Sequence, residues 1–257
     1  GPRLVTMAGH ALPLLYVVML WFMSTALVVA IDHRARARQV LTFAGLAACA
    51  ALAVIGLLAP STDAFAAYAS FTAALVIWGW HELSFLTGAV TGPRREPLPE
   101  TAKGWTRFRL SSATVIHHEV AIFVTLIMLV IVSRGLPNQT GAAAFAILFA
   151  MRLSTKFNIF LGVPNFSSDI LPPQLAYLKS YFRNRRFNAL MPFSLLAGTA
   201  LTWWLGSMAL TLPGDAAIGY TLLAAIAALG VVEHLFLVLP IGDTALWRWA
   251  IPNAKRI

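Results

Sequence analysis

An all-α integral membrane protein of about seven spans is the fold class this sequence predicts, on three observations. Hydrophobic residues make up 59% of the 257 and charged residues only 11%, against roughly 25% charged in soluble domains. Apolar runs of about 20 residues, enough to cross the hydrocarbon, recur along the whole chain. The basic residues cluster between alternate runs instead of forming a domain of their own.

Seven segments meet the length requirement: 11–31, 39–59, 63–90, 112–133, 139–162, 189–211 and 215–240. No internal repeat interrupts them, so residues 1–257 read as one transmembrane helical domain. Gly1-Pro2 reads as a tag remnant, with Met7 the expected native start and residues 1–6 as tag or disordered. The first apolar run is full length without a small-residue cleavage site, so no cleavable signal peptide is expected. The lone cysteine, Cys49, excludes a disulfide framework within one chain and is expected as a small core residue.

Charge sets the orientation. Arg34, Arg36 and Arg38 follow segment one, and Arg94, Arg95, Lys103, Arg107 and Arg109 follow segment three. Lys179, Arg183, Arg185 and Arg186 follow segment five, and Arg248, Lys255 and Arg256 follow segment seven. The other side offers only Arg3 and Arg134. The positive-inside rule therefore predicts N-out/C-in. It also accounts for the net charge of +9 without nucleic acid.

The outer connections are short, with Asp63 and Asp215 placed to cap the helices that follow them. The inner ones are longer. Residues 92–110 form a Pro-rich basic loop, expected as a landing surface for anionic lipid or a partner. After it, Ser167 or Ser168 can cap a segment starting near Asp169. Within 168–186, Leu171, Leu175, Leu178 and Phe182 recur at helical spacing. This is the pattern of an interfacial amphipathic helix on the cytoplasmic side, or of a loop helix packed on the bundle.

Ionisable groups inside spans are costly and mark sites by default. Segment three carries His81 and Glu82, segment four His117, His118 and Glu119, segment five Arg152 and Lys156, and segment seven Glu233 and His234. At 1.5 Å per residue all fall roughly 9–15 Å from the cytoplasmic edge, so four helices bring charge to one layer. The stripe Ser70, Ala74, Ile77, His81, Ser84 and Gly88 turns His81 inward with Glu82 at its flank. Ser111, Thr114, His118 and Thr125, with Ala121 beside them, do the same for His118. Such small, polar stripes suit helix–helix contact. Gly230 admits a ligand or a close neighbour beside Glu233 and His234.

Three readings of the layer stand open. One is a buried ion-pair network of Glu82, Glu119 and Glu233 with Arg152 and Lys156. A second is a metal site, di-iron-like, with Glu82, His118, Glu119, Glu233 and His234 as ligands, although the Glu-x-x-His spacing of carboxylate-bridged helices is missing. The third is a pigment or prenyl-lipid pocket. There His81 or His118 would ligate a tetrapyrrole metal and Arg152 or Lys156 would pair with a carboxylate or phosphate. Trp78, Trp80, Phe85 and Phe157 would be its walls. His10 and His33 read as interfacial, Asp169 and Asp243 as cap and loop residues. Trp203-Trp204, Trp247 and Trp249 read as helix-end anchors.

The run Trp78-Gly-Trp-His-Glu-Leu-Ser-Phe-Leu-Thr-Gly88, followed by Thr91-Gly-Pro-Arg-Arg95, resembles the PuhE family of photosynthetic complex assembly proteins. The likeness continues through His118-Glu119, Met151-Arg152, Lys156-Phe-Asn-Ile-Phe-Leu-Gly-Val163 and the Leu171–Phe182 region. It spans roughly residues 68–188; the other segments match only in hydropathy. The resemblance implies a multi-pass bacterial inner-membrane protein, in the cytoplasmic or intracytoplasmic membrane. It implies a role in assembling reaction-centre and light-harvesting subunits or in bacteriochlorophyll supply, beside pigment-synthesis enzymes. It assigns no catalytic residues. The alternative expectation is a metal-dependent membrane oxidoreductase acting on a tetrapyrrole or isoprenoid, with iron held by the carboxylates and histidines.

Overall fold

The computed structural model describes residues 6–32, 37–166 and 171–239. The expectations placed on Gly1-Pro2, His33, Ser167, Ser168, Asp169, Asp243, Trp247 and Trp249 fall outside them. Among the described residues the secondary structure is helical, with no strand. In chain order it runs α1 (Met7–Asp32), α2 (Ala37–Leu58), α3 (Ala64–Leu86), α4 (Gly104–Ser112), α5 (Ile116–Ser133), α6 (Thr140–Leu161), a 3₁₀ helix (Pro173–Tyr181), α7 (Leu190–Thr211) and α8 (Asp215–Phe236).

Among the described residues, five helices are long and apolar enough to cross a membrane: Gln39–Leu58 of α2, and α5, α6, α7 and α8. A shorter apolar stretch, Gly9–Ser24, lies in α1. α3 matches them in length, but Trp78, Trp80, His81, Glu82 and Ser84 make its C-terminal part polar. Asp63 starts α3 by accepting from the Ala66 amide at 2.8 Å. Gly88, at φ 74°, turns the chain away after Thr87, so the segment stops short of the expected residue 90. α5 begins at Ile116, not 112, because residues 113–115 turn the corner from α4.

Small residues let the helices approach closely, the usual basis of association where lipid is as apolar as the side chains. The inward stripe of α3 is buried as its spacing predicts: Ser70, Ala74, Ile77, His81 and Ser84 are all covered. A Cβ on Gly141 would sit 2.9 Å from the Ser70 carbonyl oxygen, so only glycine permits this α3–α6 contact. Phe71, Ile122, Phe145 and Leu222 fill the core between α3, α5, α6 and α8. α7 packs chiefly on α8, and α2 on α3.

Three expectations away from the basic loops need correction. Asp215 does not cap its own helix; its carboxylate accepts from the Ala64 amide at 2.9 Å and caps α3 across the bundle. His10 is buried, with Nδ1 2.8 Å from Thr221 Oγ1 on α8. Cys49 is exposed on α2 instead of lying in the core.

The basic end also departs from the sequence reading. Residues 104–112 are helical, and Arg107 is buried, donating to the carbonyls of Phe160 (2.7 Å) and Tyr181 (2.8 Å) over the Phe160 ring. Burial, with Arg183 and Arg185 nearby, lowers its pKa to about 10, so it stays charged at neutral pH. Arg94 Nε donates to Tyr181 Oη at 2.7 Å, and Arg95 to the Gly88 carbonyl at 3.0 Å. Part of the expected landing surface is thus a clamp. What it clamps is a 3₁₀ helix where the spacing predicts an amphipathic α-helix. Three residues per turn put Leu175, Leu178 and Tyr181 on one buried face, where Leu175 and Leu178 cluster with Phe85.

Candidate functional site

α3, α5, α6 and α8 bring their ionisable side chains together near the basic end, and α1 adds an indole. Arg152 Nη2 donates to Glu82 Oε2 at 3.0 Å, joining α6 to α3. One turn on, Lys156 pairs with Glu119 of α5 and lies 5.4 Å from the Phe85 ring centroid. Glu233 accepts from Trp21 Nε1 at 3.1 Å and lies within electrostatic reach of Arg152, as does Glu119. Three carboxyls therefore face two cations, each cation already holding one carboxylate.

The histidines stand behind this row. His81 and His118 are buried, with ring centroids 6.2 Å apart, and His118 packs on Phe85. His81 Nε2 is 3.0 Å from Thr125 Oγ1, whose hydroxyl donates to the Ala121 carbonyl. The hydroxyl's one proton is used there, so His81 is the donor, and among the described residues its Nδ1 is left without a partner, as is that of His118. His117 is exposed. His234 shares the depth but faces elsewhere: Nδ1 donates to the Gly230 carbonyl at 2.7 Å, and Nε2 lies 2.9 Å from Ser154 Oγ. Ser154 in turn meets Ser194 of α7.

Among the described residues, no three His, Cys, Asp or Glu side chains gather as a metal site would require. Glu82 and Glu119 are taken by cations, and His234 is committed to α6 and its own helix. The metal set Glu82, His118, Glu119, Glu233 and His234 is thus spread over separate partnerships.

Two cavities flank the row. One of about 360 Å³ opens toward the basic end, between Arg152, Lys156 and Glu233 and a wall of aromatic rings from Phe85, Phe160 and Tyr181. The other, about 270 Å³, lies deeper between α1, α3, α6 and α8, against Trp78, Leu148 and Ile226. Arg152 and Lys156 reach the first cavity; His81 and His118 line neither, so neither is placed as an axial ligand to a tetrapyrrole held there. Of the four aromatic walls expected, Trp78 and Phe85 line cavities. Trp80 lies against Gly45 of α2 and Phe157 is exposed. Gly230 admits a neighbour, Met151, whose Cγ would be 2.8 Å from an added Cβ.

Sequence reasoning missed Trp21, Ser154, Thr155 and Ser194. Thr155 was legible, falling between Arg152 and Lys156 on the cavity face of α6. Trp21 carries no signal within an apolar run.

Residues 7–257 match the family described as Protein of unknown function (DUF3623). A Rhodobacter capsulatus protein, described as an uncharacterized 30.4 kDa protein in the puhA 5′ region, is 39% identical over 190 residues, covering 74% of this chain and 69% of the relative. No solved structure matches. With the match running over nearly the whole chain and this degree of identity beside it, the chain belongs to the DUF3623 family.

Proposed function

We propose that this is a bacterial inner-membrane assembly factor for photosynthetic complexes, handling bacteriochlorophyll or a precursor beside Arg152 for reaction-centre or light-harvesting subunits. The observation that carries this is the aromatic chamber of about 360 Å³ ending on a hydrogen-bonding polar row. Ligand sites are concave, mostly apolar and oriented by a few polar groups. Two further lines support it. The run Trp78–Gly88 and the motifs after it resemble the PuhE family, and the Rhodobacter capsulatus relative lies in the puhA 5′ region, under the same puh stem.

The same proposal takes α1 and α3 as spans beside the five, giving seven, N-out/C-in, with the clamped 3₁₀ helix on the cytoplasmic side. A cysteine at Ser61 should then react with an impermeant thiol reagent from outside the cell and one at Ser180 should not; the reverse would overturn the orientation.

The functional test is restoration in a phototrophic host lacking the chain. Wild-type protein should restore pigmented complexes, read from whole-membrane absorption. Ser111→Phe, which places a ring in the chamber, should reach the membrane at normal level and restore little. Pigmented complexes at wild-type level in the host lacking the chain would sink the reading.

A further inference from the structure

The two cavities lie end to end. On α6, Leu148 and Met151 line the deeper one and Thr155, Lys156 and Ile159 the other, with Arg152 on both. α8 repeats the order, Ile226 and Leu229 deep, Phe236 and Leu237 toward the basic end, with Glu233 on both. Trp21 of α1 is the third residue the cavities share. From Ile147 to Phe160 the path runs about 20 Å along α6. Their walls differ. The chamber at the basic end is rich in rings, among them Phe160, Phe166, Phe182 and Phe236. The deep one is mostly aliphatic: Leu75, Leu86, Leu148, Met151, Ile226 and Leu229.

Charge at the waist narrows the chemistry. Arg152 holds Glu82, Lys156 holds Glu119, and Glu233 adds a third carboxyl. An incoming anion would meet no unneutralised cation, and burying an uncompensated charge is costly. Neutral polar groups fare better. Among the described residues Arg152 Nε is buried without an acceptor, which leaves one donor for the carbonyl of a neutral link, while the Trp21 indole N–H is already given to Glu233. This departs from the sequence expectation of a ligand carboxylate or phosphate on Arg152 or Lys156.

We propose that the two cavities hold one elongated, electrically neutral ligand: a flat ring system at the basic end, an ester or similar neutral polar link at the Trp21–Arg152–Glu233 waist, and an apolar chain in the deep chamber. The proposal deepens the pigment reading and rests on it for the ring. The neutral ester and chain could equally come from an ordinary neutral lipid, which the test separates.

Gly79 provides the probe. It lines the deep chamber, and a Cβ there would meet nothing within 4 Å. Gly79→Leu should therefore fill the chamber without straining α3, its unfolding midpoint serving as control. Purified protein would be titrated with chlorophyll, the methyl ester of chlorophyllide and chlorophyllide free acid, read by quenching of tryptophan fluorescence. Dioleoylglycerol is tested as a competitor and, by itself, through the unfolding midpoint.

Binding should fall in that order, by at least about tenfold at each step. Gly79→Leu should bring chlorophyll down to the level of the methyl ester and leave the methyl ester unchanged. Free acid binding as tightly as its methyl ester would overturn the neutral waist, and chlorophyll binding untouched by Gly79→Leu would overturn the tail chamber; either leaves the pigment reading standing. Dioleoylglycerol stabilising wild type but not Gly79→Leu, with no pigment bound, would uphold the neutral ester and chain and sink the pigment reading. If no probe binds, both fall.

Discussion

Replacing Arg152 with Met is expected to lower stability by about 3 kcal/mol, because it leaves Glu82 in the bundle without its cation. In a chain of this size that corresponds to an unfolding midpoint roughly 6–12 °C lower in detergent. Removing the carboxylate as well, in Arg152→Met with Glu82→Met, should recover most of the loss, since an apolar pair of similar volume often equals a buried ion pair. Recovery stays incomplete because Glu233 also lies within reach of the guanidinium. Strict additivity of the two single changes in a double-mutant cycle would show that the pair is not coupled. The ionic row would then lose its structural role.

Gly92→Ala should be at least as damaging, through backbone alone. A Cβ at Gly92 would lie 2.2 Å from the Ala113 carbonyl oxygen and 2.6 Å from the Thr114 carbonyl carbon. Backbone cannot swing aside as a long side chain can, so the turn after α3 must separate from the α4–α5 corner. Two hydrogen bonds hold that corner, Arg94 N to the Ala113 carbonyl (3.1 Å) and His118 N to the Thr91 carbonyl (2.9 Å). The second fixes the first turn of α5, from which Glu119 reaches Lys156. A loss of more than about 3 kcal/mol is expected, against little or no loss for Gly206→Ala, whose Cβ would meet nothing within 4 Å. Equal unfolding midpoints for the two variants would contradict the close approach.

The periodic part of this architecture was readable beforehand. Ser70, Ala74, Ile77, His81 and Ser84 share one face of a 3.6-residue helix whatever surrounds it, and all five are buried. Depth along a span is equally local, which is why residues assigned to one layer, Glu82 with Arg152 and Glu119 with Lys156, turn out to be partners. Direction around the helix axis is not local. His234 shares the depth but turns toward Ser154, because the neighbour on that side of α8 depends on the packing order of helices. Likewise Asp215 caps α3, a partner about 150 residues away that no spacing rule reaches. The 3₁₀ helix illustrates a different limit. Leu171, Leu175, Leu178 and Phe182 fit an α-helical period, yet the three-residue turn selects Leu175, Leu178 and Tyr181, with Tyr181 held by Arg94 from the loop after α3 and Arg107 from α4. A cavity has no sequence signal at all, being the space several helices fail to fill.

The absorption spectrum of the protein, purified in mild detergent from a phototrophic host, tests the central claim most directly. The account predicts tetrapyrrole bands in stoichiometric amount, weakened when Gly79→Leu fills the deep chamber. A colourless wild-type protein with an intact, cooperative unfolding transition would contradict it, leaving the paired charges as a structural lock between helices.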